Sequence, residues 1–432
     1  MKKVPAMQVV FAVAMLIVGP AVASDNSIIR EAVRAFYTTF VERPNAEALL
    51  AGALRGLKLA QPKVKIEVLS PPGRYLVSLG QKKMTLDERA VSGMDGLVGA
   101  LHGLVELTLS AGAVDKAFLE QTMLRHLTQA CGERWTSFIV RQALSGLIDD
   151  GSNSVGSVGL VPLAEPTGLF VLSVEAKSPA ALAGIRSGQR LEKIAGRDPQ
   201  NLSEMEALGL LRGPLGGKVE VVVEGKAHLL EFVAEEARNI EVDPPHAGLA
   251  RVRIYNFRYE TGKRLRAVLE KLEGMGMTGL LLDLRSNPGG LVEEGVEVLK
   301  LFTPAVDLVR INDREQRRLQ VMSNPTPGRF QKLPLVVLVD RRTASVGEMV
   351  AQALRDIRGA RLVGEKTLGK GVVQVLVELS DGSALKLSSA RFGSAPGGLL
   401  FDGLEPDLEI DLENLGDQAL EKAFGLLKKT EN

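Results

Sequence analysis

Residues 279–290 read GLLLDLRSNPGG, a short and nearly continuous apolar run that ends in asparagine, proline and two glycines. Such a run is typical of a strand buried on both faces of a sheet. A second run, LPLVVLVD at 333–340, has the same character, and helical patterns follow both. Apolar strands that alternate with helices predict an α/β layered core. Functional side chains should then lie in loops at the carboxyl ends of the strands.

Three such loops carry candidate residues. RSNPGG (285–290) follows the first strand, Ser345 follows the second, and GEKTLGKG (364–371) follows a third. A serine at a helix start is usually an N-cap, and a lysine is usually solvated. However, Lys370 lies between two glycines in apolar surroundings. Burial there favours a neutral amine, which can accept the proton of a serine hydroxyl.

Residues 155–235 differ in character, because short β-rich runs alternate with turn signals. Within them, SPAALAGIRSGQRLEKIAG (178–196) resembles a PDZ domain of the bacterial protease type. The resemblance implies β-augmentation, in which a peptide joins a sheet edge and backbone amides hold its terminal carboxylate. The candidate carboxylate loop comprises Val155, Gly156, Ser157, Val158, Gly159 and Leu160. The two glycines of this loop could also serve only as turn residues.

Three leucines could line the pocket for the last side chain of such a peptide, or could equally belong to the core of the domain. They are Leu160, Leu208 and Leu211.

Four segments together carry a second resemblance, to the carboxyl-terminal processing (tail-specific) proteases, which are serine peptidases with a Ser–Lys dyad. They are LLLDLRSNPGGLVEEGVEVLKLF, LVVLVDRRTASVGEMVAQALRD, LVGEKTLGKGVVQ and GLEPDLEI. The resemblance implies a crotonase/ClpP-like α/β peptidase core. It also implies that Ser345 is the nucleophile, Lys370 the general base and Gln374, one helical-turn spacing further on, a support for the lysine. The implied oxyanion-hole amides are those of Gly289 or Gly290, with Val346.

Some positions depart from the family pattern. Val346 and Gly347 replace the usual alanine and serine after the nucleophile, and the stretch RFGSAPGGLLFDG (391–403) lacks the usual polar residues. This puts the substrate contacts in question, but not the dyad.

No cofactor or metal is predicted. The four histidines, at 102, 126, 228 and 246, have no metal-ligand spacing. GEKTLGKG fails the phosphate-loop pattern because Gly371 stands at the Ser/Thr position. The net charge of +1 gives no reason to expect a nucleic-acid partner.

The N-terminus has the features of a secretory signal. Lys2 and Lys3 precede the apolar run VVFAVAMLIV (9–18), and Ala21-Val22-Ala23 offers a cleavage site. We therefore predict an exported, periplasmic protein. Cys131 is the only cysteine, so no intramolecular disulfide can form. The predicted order is signal peptide 1–23, N-terminal helical region 24–150, inserted β-rich PDZ domain 151–236, peptidase core 237–415 and C-terminal helix 416–432.

Two functions fit these features. One is an exported endopeptidase for protein substrates with accessible C-terminal tails, with a homo-oligomeric state and an activating adaptor allowed by the family pattern. The other is a PDZ scaffold whose peptidase core is inert or activated by a partner. An inert relative should have lost Ser345, Lys370 or Gln374, and all three are present. The sequence therefore favours the enzyme.

Overall fold

A computed structural model of the chain describes residues 16–18, 27–70, 73–112, 114–147, 155–165, 167–175, 177–199, 202–234, 239–315, 317–410 and 421–427. The chain separates into two compact units. One holds Ser145–Val373 and the described residues from Ala390 onward. The other holds Gln374–Ser389 and the described part of Met15–Leu144.

The N-terminal part of the chain is helical with a small sheet inserted. Its elements are β1 (Leu16–Val18), α1 (Ile28–Thr39), α2 (Ala46–Ala60), β2 (Lys65–Leu69), β3 (Arg74–Leu79), β4 (Lys82–Asp87), α3 (Met94–Ser110), α4 (Lys116–Gln129), β5 (Ser137–Ile139) and α5 (Arg141–Leu147). The strands β2, β3 and β4 form an antiparallel sheet that the helical prediction for this region did not include. Alternating polar and apolar residues and the two-residue turn Gly80-Gln81 explain the hairpin between β3 and β4.

The predicted signal peptide lies outside the described residues except for β1, which pairs in parallel with Val375–Val377. Of the predicted C-terminal helix, residues 421–427 are described and are helical. Among the described helices, none combines the length and the apolar character that crossing a membrane requires.

The segment with PDZ character is β-rich, as predicted. Its elements are β6 (Val155–Ser157), β7 (Leu160–Glu165), β8 (Gly168–Val174), α6 (Pro179–Leu182), β9 (Arg190–Ile194), α7 (Glu204–Leu210), β10 (Arg212–Pro214), β11 (Lys218–Val223) and β12 (Lys226–Glu231). Five strands form one sheet in the order β12-β11-β9-β8-β7, and β6 pairs with β10. Leu160 and Leu211 belong to the buried core of this domain, and Leu208 is also buried.

The remaining elements belong to the α/β core, except that the segment Gln374–Ser389 belongs to the other unit. They are β13 (Ile240–His246), β14 (Leu249–Ile254), α8 (Thr261–Gly274), β15 (Gly279–Asp283), α9 (Val292–Phe302), β16 (Asp307–Asn312), β17 (Arg318–Ser323), β18 (Leu335–Val339), α10 (Val346–Arg358), β19 (Arg361–Gly364), β20 (Val372–Glu378), β21 (Ala384–Ser394), β22 (Gly398–Leu399) and β23 (Leu408–Glu409). A six-stranded sheet runs β13-β14-β15-β18-β19-β23 and is parallel from β14 onward. Every residue of β15 and β18 is buried, which confirms the predicted α/β core.

The parallel order places the carboxyl ends of β15, β18 and β19 side by side at one edge of this sheet. The segment Gln374–Ser389 lies within the range that the sequence assigned to the core, yet it packs with the N-terminal helices. Its apolar residues, Val375, Leu379, Leu385 and Leu387, join the buried cluster of that unit. Periodicity marks these residues as buried but does not say in which core.

A buried carboxylate anchors the end of β15. Asp283 is fully buried, and its Oδ2 accepts hydrogen bonds from Arg285 Nη2 at 2.6 Å and Arg251 Nε at 3.1 Å. Burial acts to raise the pKa of Asp283, but the hydrogen bond and charge of Arg285, with the neighbouring arginines, lower it below its ordinary value. A carboxyl with a lowered folded-state pKa stabilises the fold above its unfolded pKa, and that contribution is lost as the pH falls through the folded-state pKa.

We expect Asp283→Asn to lower the free energy of unfolding by about 3 kcal/mol at pH 7, because Arg285 loses its ion-pair partner and Arg251 loses one of the three carboxylates that pair with it. The difference from wild type should shrink below about pH 4, where the unfolded wild-type carboxyl is itself protonated. Urea unfolding at both pH values measures the effect. Glu297→Gln, which breaks an exposed ion pair with Lys300, is the control and should cost little. Equal stability of the Asp283 variant and wild type at pH 7 would contradict this assignment.

Candidate active site

The three predicted loops converge at the carboxyl ends of β15, β18 and β19. Backbone hydrogen bonds join them, since the amide of Ala344 donates to the carbonyl of Asn287 at 2.8 Å and the amide of Leu368 donates to that of Thr343 at 3.0 Å. The loop with the glycine pair, the loop with Ser345 and the loop with Lys370 are therefore held together as one arrangement.

Ser345 has a strained backbone at the start of α10. Its φ is +54° and its ψ is −120°, and the residue is 2% exposed. A non-glycine residue in such a conformation costs about 1–3 kcal/mol and is found mainly at functional sites. Gly289 lies directly against it, since a Cβ at Gly289 would stand 2.7 Å from Ser345 Cβ and 3.1 Å from its Oγ. Only glycine leaves that space open.

Glu348 connects the serine loop to the lysine loop. This carboxylate is fully buried and accepts hydrogen bonds from four donors. Oε2 accepts from the amides of Ser345 at 2.9 Å and Lys370 at 2.8 Å, and Oε1 from the amide of Gly369 at 2.7 Å and the hydroxyl of Thr367 at 2.6 Å. Burial raises the pKa of Glu348, while these four hydrogen bonds oppose the rise.

Lys370 is thereby fixed beside the serine loop. Its amide shares one carboxylate oxygen with the amide of Ser345, and the residue is only 9% exposed. The arrangement fixes the backbone of a largely buried lysine next to the loop that carries a strained serine.

The oxyanion-hole residues do not all fit the prediction. The amide of Gly289 donates to Asn287 Oδ1 at 2.8 Å, so it is engaged within its own turn in this structure. Val346 is the first residue of α10, where helix amides lack an intrahelical acceptor. Within the described residues, the amide of Gly290 also has no hydrogen-bond acceptor. Gly290 and Val346 therefore remain the candidate donors.

Gln374 lies on strand β20, so the four-residue spacing from Lys370 is not a helical turn. Its Nε2 donates to the carbonyl oxygen of Trp135 at 2.6 Å, and the residue is fully buried. In the part of the chain that the structure describes, its Oε1 has no hydrogen-bond partner. Gln374 belongs to the unit of the N-terminal helices, whereas Ser345 and Lys370 belong to the other unit.

The candidate carboxylate loop of the PDZ segment differs from the prediction. Val155, Gly156 and Ser157 form β6, which pairs with β10. The amide of Ser157 donates to the carbonyl of Val233 at 2.9 Å, that of Val158 to the carbonyl of Leu211 at 3.2 Å, and that of Gly159 to Ser157 Oγ at 2.9 Å. An anion-binding loop needs amides that face a ligand. These three amides are engaged inside the domain, and the assignment of the whole loop as a carboxylate site stays a prediction.

Glu348 is the residue that sequence reasoning missed. Ser345 and Glu348 have the S-x-x-E spacing of a capping box, in which a glutamate side chain returns to the amide at the start of a helix. That spacing could have identified the bond to the Ser345 amide. It could not have shown the bonds to Gly369 and Lys370, which join residues more than 20 positions apart.

Replacing Glu348 by Gln should lower kcat/KM for a peptide substrate by about 100-fold, mainly through kcat. One acceptor oxygen becomes a donor, so two of the four bonds are lost and the two loops shift, and a 1 Å displacement in an active site costs about that much. Steady-state kinetics and an unfolding curve measure the two effects.

The matched control is Glu294→Gln. Glu294 also accepts two backbone amides, from Glu260 at 2.8 Å and Gly262 at 3.0 Å, at a place outside the three loops. The Glu294→Gln protein should be less stable than wild type but keep its kcat. Equal losses of kcat in the two variants would mean that Glu348 acts only through stability.

Among the residues that the structure describes, no three His, Cys, Asp or Glu side chains form a group that could bind one metal ion.

Comparisons with known proteins show which families and which fold this chain resembles. The model of Peptidase family S41 matches residues 248–410, and that of the PDZ domain matches residues 170–225. A carboxyl-terminal-processing protease of Synechocystis sp. is 31% identical over 283 residues, which cover 63% of this chain and 66% of the relative. A chloroplastic C-terminal processing peptidase of Tetradesmus obliquus is 31% identical over 337 residues, which cover 72% of each protein. This chain thus spans about two thirds of the length of these relatives.

A solved structure of a photosystem II D1 C-terminal processing protease matches 94% of this chain and 98% of its own, with a TM-score of 0.66. At 24% identity this likeness shows the shared fold.

Proposed function

Because the chain belongs to peptidase family S41, among the carboxyl-terminal processing proteases, we propose that it is an exported serine endopeptidase that cleaves protein substrates near their C-terminal tails. The observation that carries the proposal is the bridge made by Glu348. One buried carboxylate binds the amides of Ser345 and Lys370, and the serine has the strained backbone of a functional residue.

In the proposed reaction, Ser345 Oγ attacks the scissile carbonyl carbon while the neutral amine of Lys370 accepts the hydroxyl proton. The amides of Gly290 and Val346 stabilise the oxyanion, a contribution worth about 3–4 kcal/mol per donor in known cases. Lys370 then gives the proton to the leaving amine. Water hydrolyses the acyl-enzyme by the same steps, again with Lys370 as base. Gln374 supports the lysine amine, a role that rests on the family pattern.

The proposed substrates are proteins with accessible C-terminal tails, and the PDZ domain takes part in their recognition. The proposed location is the periplasm, which rests on the basic and apolar pattern of residues 1–23. A homo-oligomeric state and an activating adaptor belong to the same proposal.

The test is the intact mass of a folded reporter protein with an unstructured C-terminal tail after incubation with the purified protein. We expect fragments cut within the tail, with the folded part untouched, and no change when Ser345→Ala protein is used. A purified, assembled wild-type protein that leaves every tail uncut, with and without cell extract as a source of adaptor, would refute the proposal.

A further inference from the structure

Asp340 is a buried carboxylate that follows β18 directly, at the edge of the sheet where the three loops meet. The residue is 6% exposed, and the proposed reaction does not use it. Its Oδ1 accepts hydrogen bonds from the amides of Ser286 at 2.8 Å and Arg342 at 3.1 Å, and its Oδ2 accepts one from the hydroxyl of Ser286 at 2.9 Å. One side chain therefore binds both the loop with the glycine pair and the turn that leads to Ser345.

Ser286 has a backbone conformation that serine rarely adopts. Its φ is +55°, in the left-handed region. The amide of Asn287 donates to the carbonyl of Leu284 at 3.2 Å, so Ser286 is the third residue of a four-residue turn, where a positive φ usually belongs to glycine. Such strain persists only where the surrounding structure determines it. The bond from the Ser286 amide to Asp340 fixes this backbone, and the bond from the hydroxyl adds to it.

The strained turn leads directly into the candidate oxyanion hole. Asn287 is fully buried, and its carbonyl accepts a hydrogen bond from the amide of Ala344 at 2.8 Å. Gly290, one candidate donor, follows Asn287 by three residues, and Val346, the other, follows Ala344 by two. The two candidate donors are therefore joined by a path of only a few residues through this one backbone hydrogen bond.

We propose that Asp340 is a positioning residue of the oxyanion hole, which sets the separation between the amides of Gly290 and Val346. Asp340 binds the chain on both sides of the path between them, through Ser286 on one side and Arg342 on the other. Oxyanion-hole donors act only when they are held at the place where charge develops in the transition state. The proposal deepens the proposed function, on which it rests, because it names a residue that the same reaction depends on.

Asp340→Ala should lower kcat for a reporter protein with an unstructured C-terminal tail by about 100-fold, since the loss of one oxyanion-hole donor lowers kcat by about 10²–10³-fold. The KM should change by less than about threefold, because an interaction made only in the transition state affects kcat and not substrate binding. Cleavage rates from intact mass over a range of reporter concentrations give both constants. A thermal unfolding curve shows whether the variant is folded.

Asp340→Asn should restore most of the activity. Asparagine keeps an acceptor oxygen for the two amides, and its Nδ2 can donate to Ser286 Oγ, because a hydroxyl also accepts. A neutral acceptor binds less strongly than a carboxylate, so kcat should stay within about fivefold of wild type.

Ser286→Gly gives an independent test. Glycine adopts a positive φ without strain, so the turn then depends less on Asp340. In the Ser286→Gly protein, Asp340→Ala should lower kcat by only about tenfold, and a double-mutant cycle measures this coupling. The same pair of proteins tests the role if the single Asp340→Ala protein does not fold. Equal losses of kcat from Asp340→Ala in the two backgrounds would contradict a role through the strained turn.

Asp381→Ala is the matched control. Asp381 Oδ1 also accepts hydrogen bonds from the amide, at 2.9 Å, and the hydroxyl of one serine, Ser383, in the turn between β20 and β21 and outside the three loops. The Asp381→Ala protein should be less stable than wild type but keep its kcat and KM. Equal losses of kcat in the two aspartate variants, or a wild-type kcat in folded Asp340→Ala protein, would overturn the proposal.

The outcome can be told apart from that for the proposed function. If wild-type protein cuts tails and folded Asp340→Ala protein keeps the wild-type kcat, the positioning role is wrong and the peptidase stands. If wild-type protein cuts no tails, the proposed function is wrong, and the role of Asp340 that rests on it is wrong as well.

Discussion

Ser345→Ala protein should fold as wild type does and cleave tail substrates at least about 10⁴-fold more slowly. In a known serine peptidase, loss of the nucleophile alone removes nearly all of the catalytic contribution. The fold should survive because alanine keeps the Cβ and leaves the strain of φ +54° unchanged. Cleavage rates from intact mass, with a thermal unfolding curve for each protein, measure both parts.

Ser286→Ala is the matched control. Ser286 also has a positive φ, +55°, lies in the loop after β15 and donates its hydroxyl to Asp340 Oδ2 at 2.9 Å. That variant should lose some stability and keep most of its activity. If both serine variants lost activity to the same extent, a general disturbance of the loops would explain the result and Ser345 would not be the nucleophile.

Lys370→Arg should lower kcat/KM by about 1,000-fold or more although the positive charge is retained. A guanidinium does not give up its proton in the working pH range, so it cannot accept the proton of Ser345. General base catalysis by a positioned side chain contributes about 10²–10⁴-fold, which sets the scale of the loss. Lys370→His should keep a trace of activity, because imidazole can act as a base.

The control is Lys366→Arg, four residues earlier on the same loop. Lys366 is more exposed and pairs with Asp402 at 3.2 Å and Glu405 at 2.9 Å, pairs that an arginine can also make. The activity of the Lys366→Arg protein should match that of wild type. A folded Lys370→Arg protein that cut tails at the wild-type rate would exclude Lys370 as the base.

The arrangement of the three loops could be predicted from sequence because it depends on local patterns. The apolar runs that form β15 and β18 are continuous and bounded by turn residues. Such runs are typical of strands that are buried on both faces of a parallel sheet, so both the burial and the parallel order are expected. Once the strands are parallel, their carboxyl ends must meet at one edge. Placing Ser345 and Lys370 in neighbouring loops needed nothing more.

Hydrogen-bond partners across the fold could not be predicted in this way. The amides of Gly289 and Gly159 were expected to face a ligand. Instead, Asn287 Oδ1 accepts the hydrogen bond of the first amide and Ser157 Oγ accepts that of the second. Which acceptor an amide finds depends on side-chain positions that periodicity does not encode. The same holds for Glu348, whose bonds to the lysine loop exist only after α10 and β19 have packed.

The most direct test of the central claim, that Lys370 activates Ser345, is the reaction of the protein with a fluorophosphonate, followed by mass spectrometry of its peptides. Attack by the serine oxygen on phosphorus expels fluoride and leaves a stable adduct, so the label marks an activated serine. We expect one adduct, on Ser345, that forms at least about 100-fold more slowly in Lys370→Arg protein, since that variant lacks the base. A label on another serine, or equal rates in the two proteins, would contradict the account.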